Sequence, residues 1–142
     1  MTIKKIVFTS LIAMSMSTVS MFAHAGLVIT NNTKQDSTSS IFGTCSTALP
    51  GGIVKAGEQN HKVDDITIGL ACWGHESNCV ADVYMTADCE KSGASKIATV
   101  VFDTSKGVRS VTMNSSQYTI TAPIGGFFFQ VDGGPSALAS KK

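Results

Sequence analysis

The chain has 142 residues, 11 Lys and Arg against 10 Asp and Glu, and a formal net charge of +1. That length supports one domain with a modest core and is too short for two. A near-neutral chain with scattered basic residues argues against a nucleic-acid partner, because phosphate binding needs a basic excess on one face.

Residues 1–25 read as a bacterial-type export signal. Lys4 and Lys5 open it, Ile6 to Phe22 is mainly apolar, and Ala23-His24-Ala25 fits a small-x-small cleavage site. A membrane anchor would need about 20 apolar residues, and Ser10, Ser15, Ser17, Thr18 and Ser20 interrupt this stretch. Removing 25 of the 142 residues leaves 117, and the loss of Lys4 and Lys5 turns the net charge to −1. The expected product is periplasmic or secreted, with no integral membrane segment after cleavage and no basic amphipathic segment for an anionic membrane surface. Residues 26–134 form the expected domain, and 135–142 a flexible tail.

The mature chain opens with a strand over Gly26 to Asn32, with Leu27 and Ile29 in phase. The polar run Asn31 to Ser40 then turns into a short strand around Ile41 and Phe42. Asn31-Asn32-Thr33 and Asn114-Ser115-Ser116 match the glycosylation sequon, but behind a bacterial leader they read as ordinary turn residues. Leu49-Pro50-Gly51-Gly52 is the strongest loop punctuation. Short strands at Ile53-Val54 and at His61 to Val63 flank a turn at Ala56-Gly57-Glu58.

Ile66, Ile68, Leu70 and Cys72, followed by Cys79, Ala81, Val83 and Met85, give two alternating runs with the period of half-buried strands. The expected element is a hairpin whose tip is Trp73 to Asn78. Ile97 to Phe102 is a nearly continuous apolar strand, and Asp103 to Gly107 a hairpin loop with one positive φ at its glycine. Val108 to Met113 follows, with Val111 and Met113 sharing a face, and then Gln117 to Ala122, with Tyr118, Ile120 and Ala122 in phase. After the break at Pro123 to Gly126, Phe127, Phe129 and Val131 point inward and Phe128 outward. No segment shows the three-four apolar spacing of a helix, and no internal repeat is present. Seven to nine short strands predict an all-β fold, an antiparallel two-sheet β-sandwich.

Cys45, Cys72, Cys79 and Cys89 all follow the cleavage site, and an even number in an exported small domain predicts two disulfides. The 26, 6 and 9 residues between them lack the paired short knuckles of a structural zinc site. Cys72 and Cys79 share the inward register at the neck of the expected hairpin, so they pair, leaving Cys45 with Cys89. The opening strand and Ala56-Gly57-Glu58 are similar to thaumatin-like sandwiches, a likeness of fold type that brings no site residue with it.

Chemistry is sparse. The mature histidines, His61 and His75, sit in no nucleophile context, and all four thiols are taken by disulfides. Asp82 and Asp88 would lie roughly 20 Å apart on one strand, beyond the ~5 to 10 Å that glycoside hydrolysis uses. His61, Asp64 and Asp65 follow no known ligand spacing. No catalytic residue, metal site or cofactor is therefore expected. The candidate ligand-binding residues are Trp73, His75, Glu76 and Asn78 on the stapled tip, one aromatic anchor with three polar neighbours. The expected function is a non-enzymatic, disulfide-stabilised binding module for a protein or glycan, a secreted factor acting on a host or neighbouring cell. A small secreted hydrolase and a structural cell-envelope protein are the alternatives.

Overall fold

The computed structural model describes residues 26–135; the leader, 1–25, and the tail from 136 on lie outside the described residues. Within them the strands are β1 (Leu27–Asn31), β2 (Thr38–Ile41), β3 (Thr44–Cys45), β4 (His61–Val63), β5 (Cys79–Tyr84), β6 (Ala98–Asp103), β7 (Gly107–Met113), β8 (Tyr118–Thr121) and β9 (Phe128–Gly133). They form two sheets, one ordered β4-β1-β9-β8 and the other β3-β2-β5-β6-β7. The chain is thus a two-sheet all-β sandwich. Every strand pair is antiparallel except β1 with β9, which run parallel with Ile29 opposite Phe129.

Alternation places the core between the sheets. Val83, Met85, Ile97, Ala98, Val100, Tyr118 and Val131 make one buried cluster. Cys72, Cys79, Phe102 and Val108 make a second, where the Phe127 ring meets Phe102 edge-on at 5.7 Å. A register shift between Val101 and Phe102 lets buried Val108 share a core with half-buried Val111, three residues on and otherwise out of phase with it. Phe128 is half-buried, not exposed as strict alternation predicts.

The first arm of the expected hairpin is not a strand. Asp65–Ala71 is a two-turn helix, α1, whose N-cap Asp64 accepts a hydrogen bond from the Thr67 N–H at 2.8 Å. A period of two contains a period of four: Ile68 and Cys72 share the inward face of α1, while Ile66 and Leu70 share the outer one. The capping carboxylate decides between the two readings, because it satisfies a helix N–H that a strand would offer to a neighbour. The expected strand at Ile53-Val54 also shrinks, to a single bridge between Val54 and Ser37.

Asn31 is not a turn residue on the surface but is fully buried at the end of β1. Its Nδ2 donates to the carbonyls of Gln35 (2.7 Å), Val54 (3.3 Å) and Lys55 (3.2 Å), and its Oδ1 accepts from the N–H and hydroxyl of Thr33. One side chain therefore closes two loops on the same edge of the sandwich.

Both disulfides join the pairs expected from the sequence, Cys45 with Cys89 and Cys72 with Cys79. Cys89 has a positive φ of 55°, and Thr38 holds it by accepting its N–H at 3.0 Å.

Candidate functional site

The loop between α1 and β5 carries Trp73, His75, Glu76 and Asn78. Cys72 closes the last turn of α1, its N–H donating to the Ile68 carbonyl at 2.9 Å. Gly74 then turns with φ 79°, which a side chain would resist. Within the loop the His75 N–H donates to the Cys72 carbonyl and the Asn78 N–H to the His75 carbonyl. From outside, the Thr104 N–H donates to the Glu76 carbonyl at 2.8 Å, and Arg109 Nη1 donates to the Ser77 carbonyl at 3.0 Å. With Cys72 and Cys79 buried at its base, this loop is held at both ends and on one flank.

The four candidate residues do not act as one group. Trp73 is 78% exposed, the indole standing away from the core. The His75 ring stacks on Phe42, with centroids 4.0 Å apart and planes 25° from parallel. Glu76 Oε2 accepts from the Gly74 N–H at 3.0 Å. Hydrogen bonds from its own and the Gly74 N–H hold the Glu76 carboxyl below the usual carboxylate range. Asn78 is exposed on the β5 side of the loop.

Trp73 and His75 instead join residues that the sequence pattern did not mark. Phe42, Leu49, Leu70 and Ala71 line a groove with them, of about 240 Å³. Leu70 is 61% exposed and Phe42 48%, and Ile66 on the same outer face of α1 is 76% exposed. Glu76 and Asn78 do not line this groove. The pair Ile66 and Leu70, four apart, was the available signal, visible only once the segment is read as a helix.

Phe42 reaches the groove at some strain. It and Gly43 are the two central residues of the β2–β3 hairpin, with φ of 49° and 83°. Two positive φ angles are the mark of a turn that favours Asn-Gly, and a phenylalanine in the first position is disfavoured by about 1 kcal/mol or more. Strain of this kind concentrates at functional surfaces.

His61 lies apart from the groove, bonded through Nδ1 to Glu58 and through Nε2 to the Gly51 carbonyl. Among the described residues no group of three or more His, Cys, Asp or Glu could hold a metal ion, Asp64 being committed to the helix cap. None of the described helices is long and apolar enough to cross a membrane.

The crystal structure of the Legionella pneumophila type II secretion system substrate NttC is similar, with a TM-score of 0.61 at 22% identity, over 78% of this chain and 99% of that one. That likeness establishes the sandwich topology. No curated protein sequence matches the chain. The family model described as "T2SS substrate NttC" matches residues 3–128. With most of its length matched by that model, the chain belongs to the NttC family of type II secretion substrates.

Proposed function

We propose that this secreted protein is a non-enzymatic binding module that meets its partner, a protein or glycan of a host or neighbouring cell, through the groove of Phe42, Leu70, Trp73 and His75. Secretion follows from the family. The observation that carries the binding role is that three large apolar side chains stand exposed together on a surface stiffened by a disulfide. Solvent-exposed apolar groups scattered singly need no explanation, but a contiguous set on a rigid support is the usual form of a recognition surface.

The two histidines of the described residues, His61 and His75, support the non-enzymatic reading. Both ring nitrogens of His61 are engaged, by a carboxylate and a carbonyl, and the His75 ring is stacked on an aromatic. Neither is offered to a serine or threonine hydroxyl as a base. For export, the positively started apolar leader would carry the chain across the inner membrane. Two disulfides would then form in the oxidising periplasm before the folded domain leaves by the route used by NttC.

The test compares the mature protein with a Trp73→Ala, Leu70→Ser double variant that keeps both disulfides, on a glycan array and on intact host and neighbouring bacterial cells. Loss of saturable binding in the variant supports the groove, and undiminished binding excludes it. Turnover of a generic ester, peptide or glycoside panel by the wild type would overturn the non-enzymatic reading.

A further inference from the structure

Beneath the groove the sandwich is not filled. A cavity of about 120 Å³ lies between the sheets, bounded by residues such as Ile29, Ala81, Val100, Phe129 and Val131. Small side chains make the space: Ala81 on β5 sits between Ile41 and Val100 in register, where larger residues would close the gap. On its open side the cavity is covered by α1 and by the turn through Leu49, Gly51 and Gly52, not by a strand. Ile41, Leu49 and Ala71 line both this cavity and the outer groove, so one wall of three residues separates the two spaces.

The chemistry of the walls selects the occupant. The lining is mainly aliphatic and aromatic, with Ser37, Thr38, Ser39, Ser46 and Thr67 beside the apolar residues, the strand backbones are taken up in their ladders, and no buried side-chain nitrogen or oxygen among the described residues lacks a partner. A cavity of this kind gives water too few hydrogen-bond partners and takes an apolar molecule instead; one of ~150 Å³ holds a benzene. The two spaces meet at that one wall, and an unbranched chain, which can pass between three side chains, fits a small interior space with a groove outside it better than a ring does.

We propose that the inter-sheet cavity and the groove form one binding site for a linear alkyl chain, its terminal segment between the sheets and its remainder along Leu70 and Trp73. This rests on the groove being the binding surface and names the chemistry it takes. The cover can yield without breaking a strand ladder: α1 and the 46–52 turn lie outside both, the turn being tied to β2 by the Ser39 N–H donating to the Ser46 hydroxyl at 3.0 Å and the end of α1 to β5 by the Cys72–Cys79 disulfide.

The probe is 1-decanol added to the mature, oxidised protein. Trp73 is the chain's only tryptophan, so its emission reports the groove directly, while contacts between the alkyl chain and the Ala81 and Val100 methyls in isotope-filtered NMR report the interior. Saturable one-to-one binding with a blue shift of the emission and interior contacts supports the site. Ala81→Ile should weaken binding at least tenfold while leaving the free protein's emission unchanged. Binding equal in wild type and Ala81→Ile, no interior contacts, or no saturation up to the solubility of decanol overturns it. The interior contacts are measured on the wild type, so a variant that fails to fold leaves the test standing. Competition with phosphatidylcholine vesicles separates the sources: displacement of bound decanol supports a bilayer lipid tail, and its retention supports a free chain. Failure of the interior contacts leaves the surface binding role intact, whereas cell or glycan binding that survives Trp73→Ala, Leu70→Ser removes that role without touching the interior result.

Discussion

Glu58 and His61 are joined at 2.7 Å between Oε2 and Nδ1, while the other ring nitrogen of His61 lies 2.6 Å from the Gly51 carbonyl. A neutral imidazole has one N–H, so only the imidazolium can donate to both. Burial opposes that charge, but the bonds to Glu58 and Gly51 outweigh it and raise the His61 pKa above 6.5. The His61 bond also lowers the Glu58 pKa, assisted by the Lys55 N–H. The sign for His61 follows from linkage: its contribution is full below the unfolded pKa and is lost as pH rises through the higher folded one. Glu58 acts in the opposite sense, contributing above its unfolded pKa and losing that as pH falls through the folded one. Thermal unfolding from pH 4 to 9 should therefore show a maximum on the mildly acid side. His61→Gln should flatten the decline above it, and an unchanged profile in that variant would refute the pairing.

The Cys72–Cys79 staple closes a short ring and Cys45–Cys89 a long one, with sequence separations of 7 and 44. In the loop-entropy picture they contribute about 2.5 and about 4 kcal/mol. Replacing both cysteines of the short ring by serine should lower stability by less than the same change in the long ring. It should also release the base of α1 and raise amide exchange from Leu70 to Asn78. Chemical denaturation and hydrogen exchange on the two double variants check both expectations.

Phe42 occupies a position where asparagine is at ease. Phe42→Asn should be at least as stable as the wild type, since relief of the left-handed backbone offsets the lost stacking on His75. Phe42→Val, β-branched at the same φ, should be destabilised by about 1 to 2 kcal/mol. If asparagine proves the worse of the two, the turn is not strained in the manner described.

Asn31→Ala would take one donor from each of the Gln35, Val54 and Lys55 carbonyls, which keep one partner each, and would deprive the buried Thr33 N–H of its acceptor. Removing a partner from several buried groups at once places the expected loss at about 3 kcal/mol or more. A melting temperature within 2 °C or so of the wild type, on the usual scale of several degrees per kcal/mol, would show that the corner is not closed by this residue.

Much of the sandwich was legible because its strands alternate: Cys79, Ala81 and Val83, or Phe129 and Val131, can be read straight into one face. The disulfides followed from the same register, and the Cys72–Cys79 pair survives the change from strand to helix because either element brings the two residues together across a short loop. What misled was Ile66 to Cys72, where every second position is apolar and a helix cap two residues earlier is the only dissent. The groove was hidden for the same reason. Its Leu70 becomes an outer residue only on a helix, and Phe42 reaches it only through a hairpin turn that its own sequence disfavours. The interior cavity had no signal along the chain, since it depends on which small residues of distant strands face one another.

The parallel pairing of β1 with β9 bears on when this protein can fold. β1 lies inside its sheet, with β4 on one side and β9 on the other, so the first strand gains its second neighbour only after residues 128–133 have followed. Closing a chain of that length must precede the contacts that reward it. Until then the half-made sheet offers an open edge, a state suited to pairing with the wrong chain. β9 thus acts as a latch: a chain cut short before Phe128 would lack not a tail but the strand that completes the first one, and would leave that edge of β1 open.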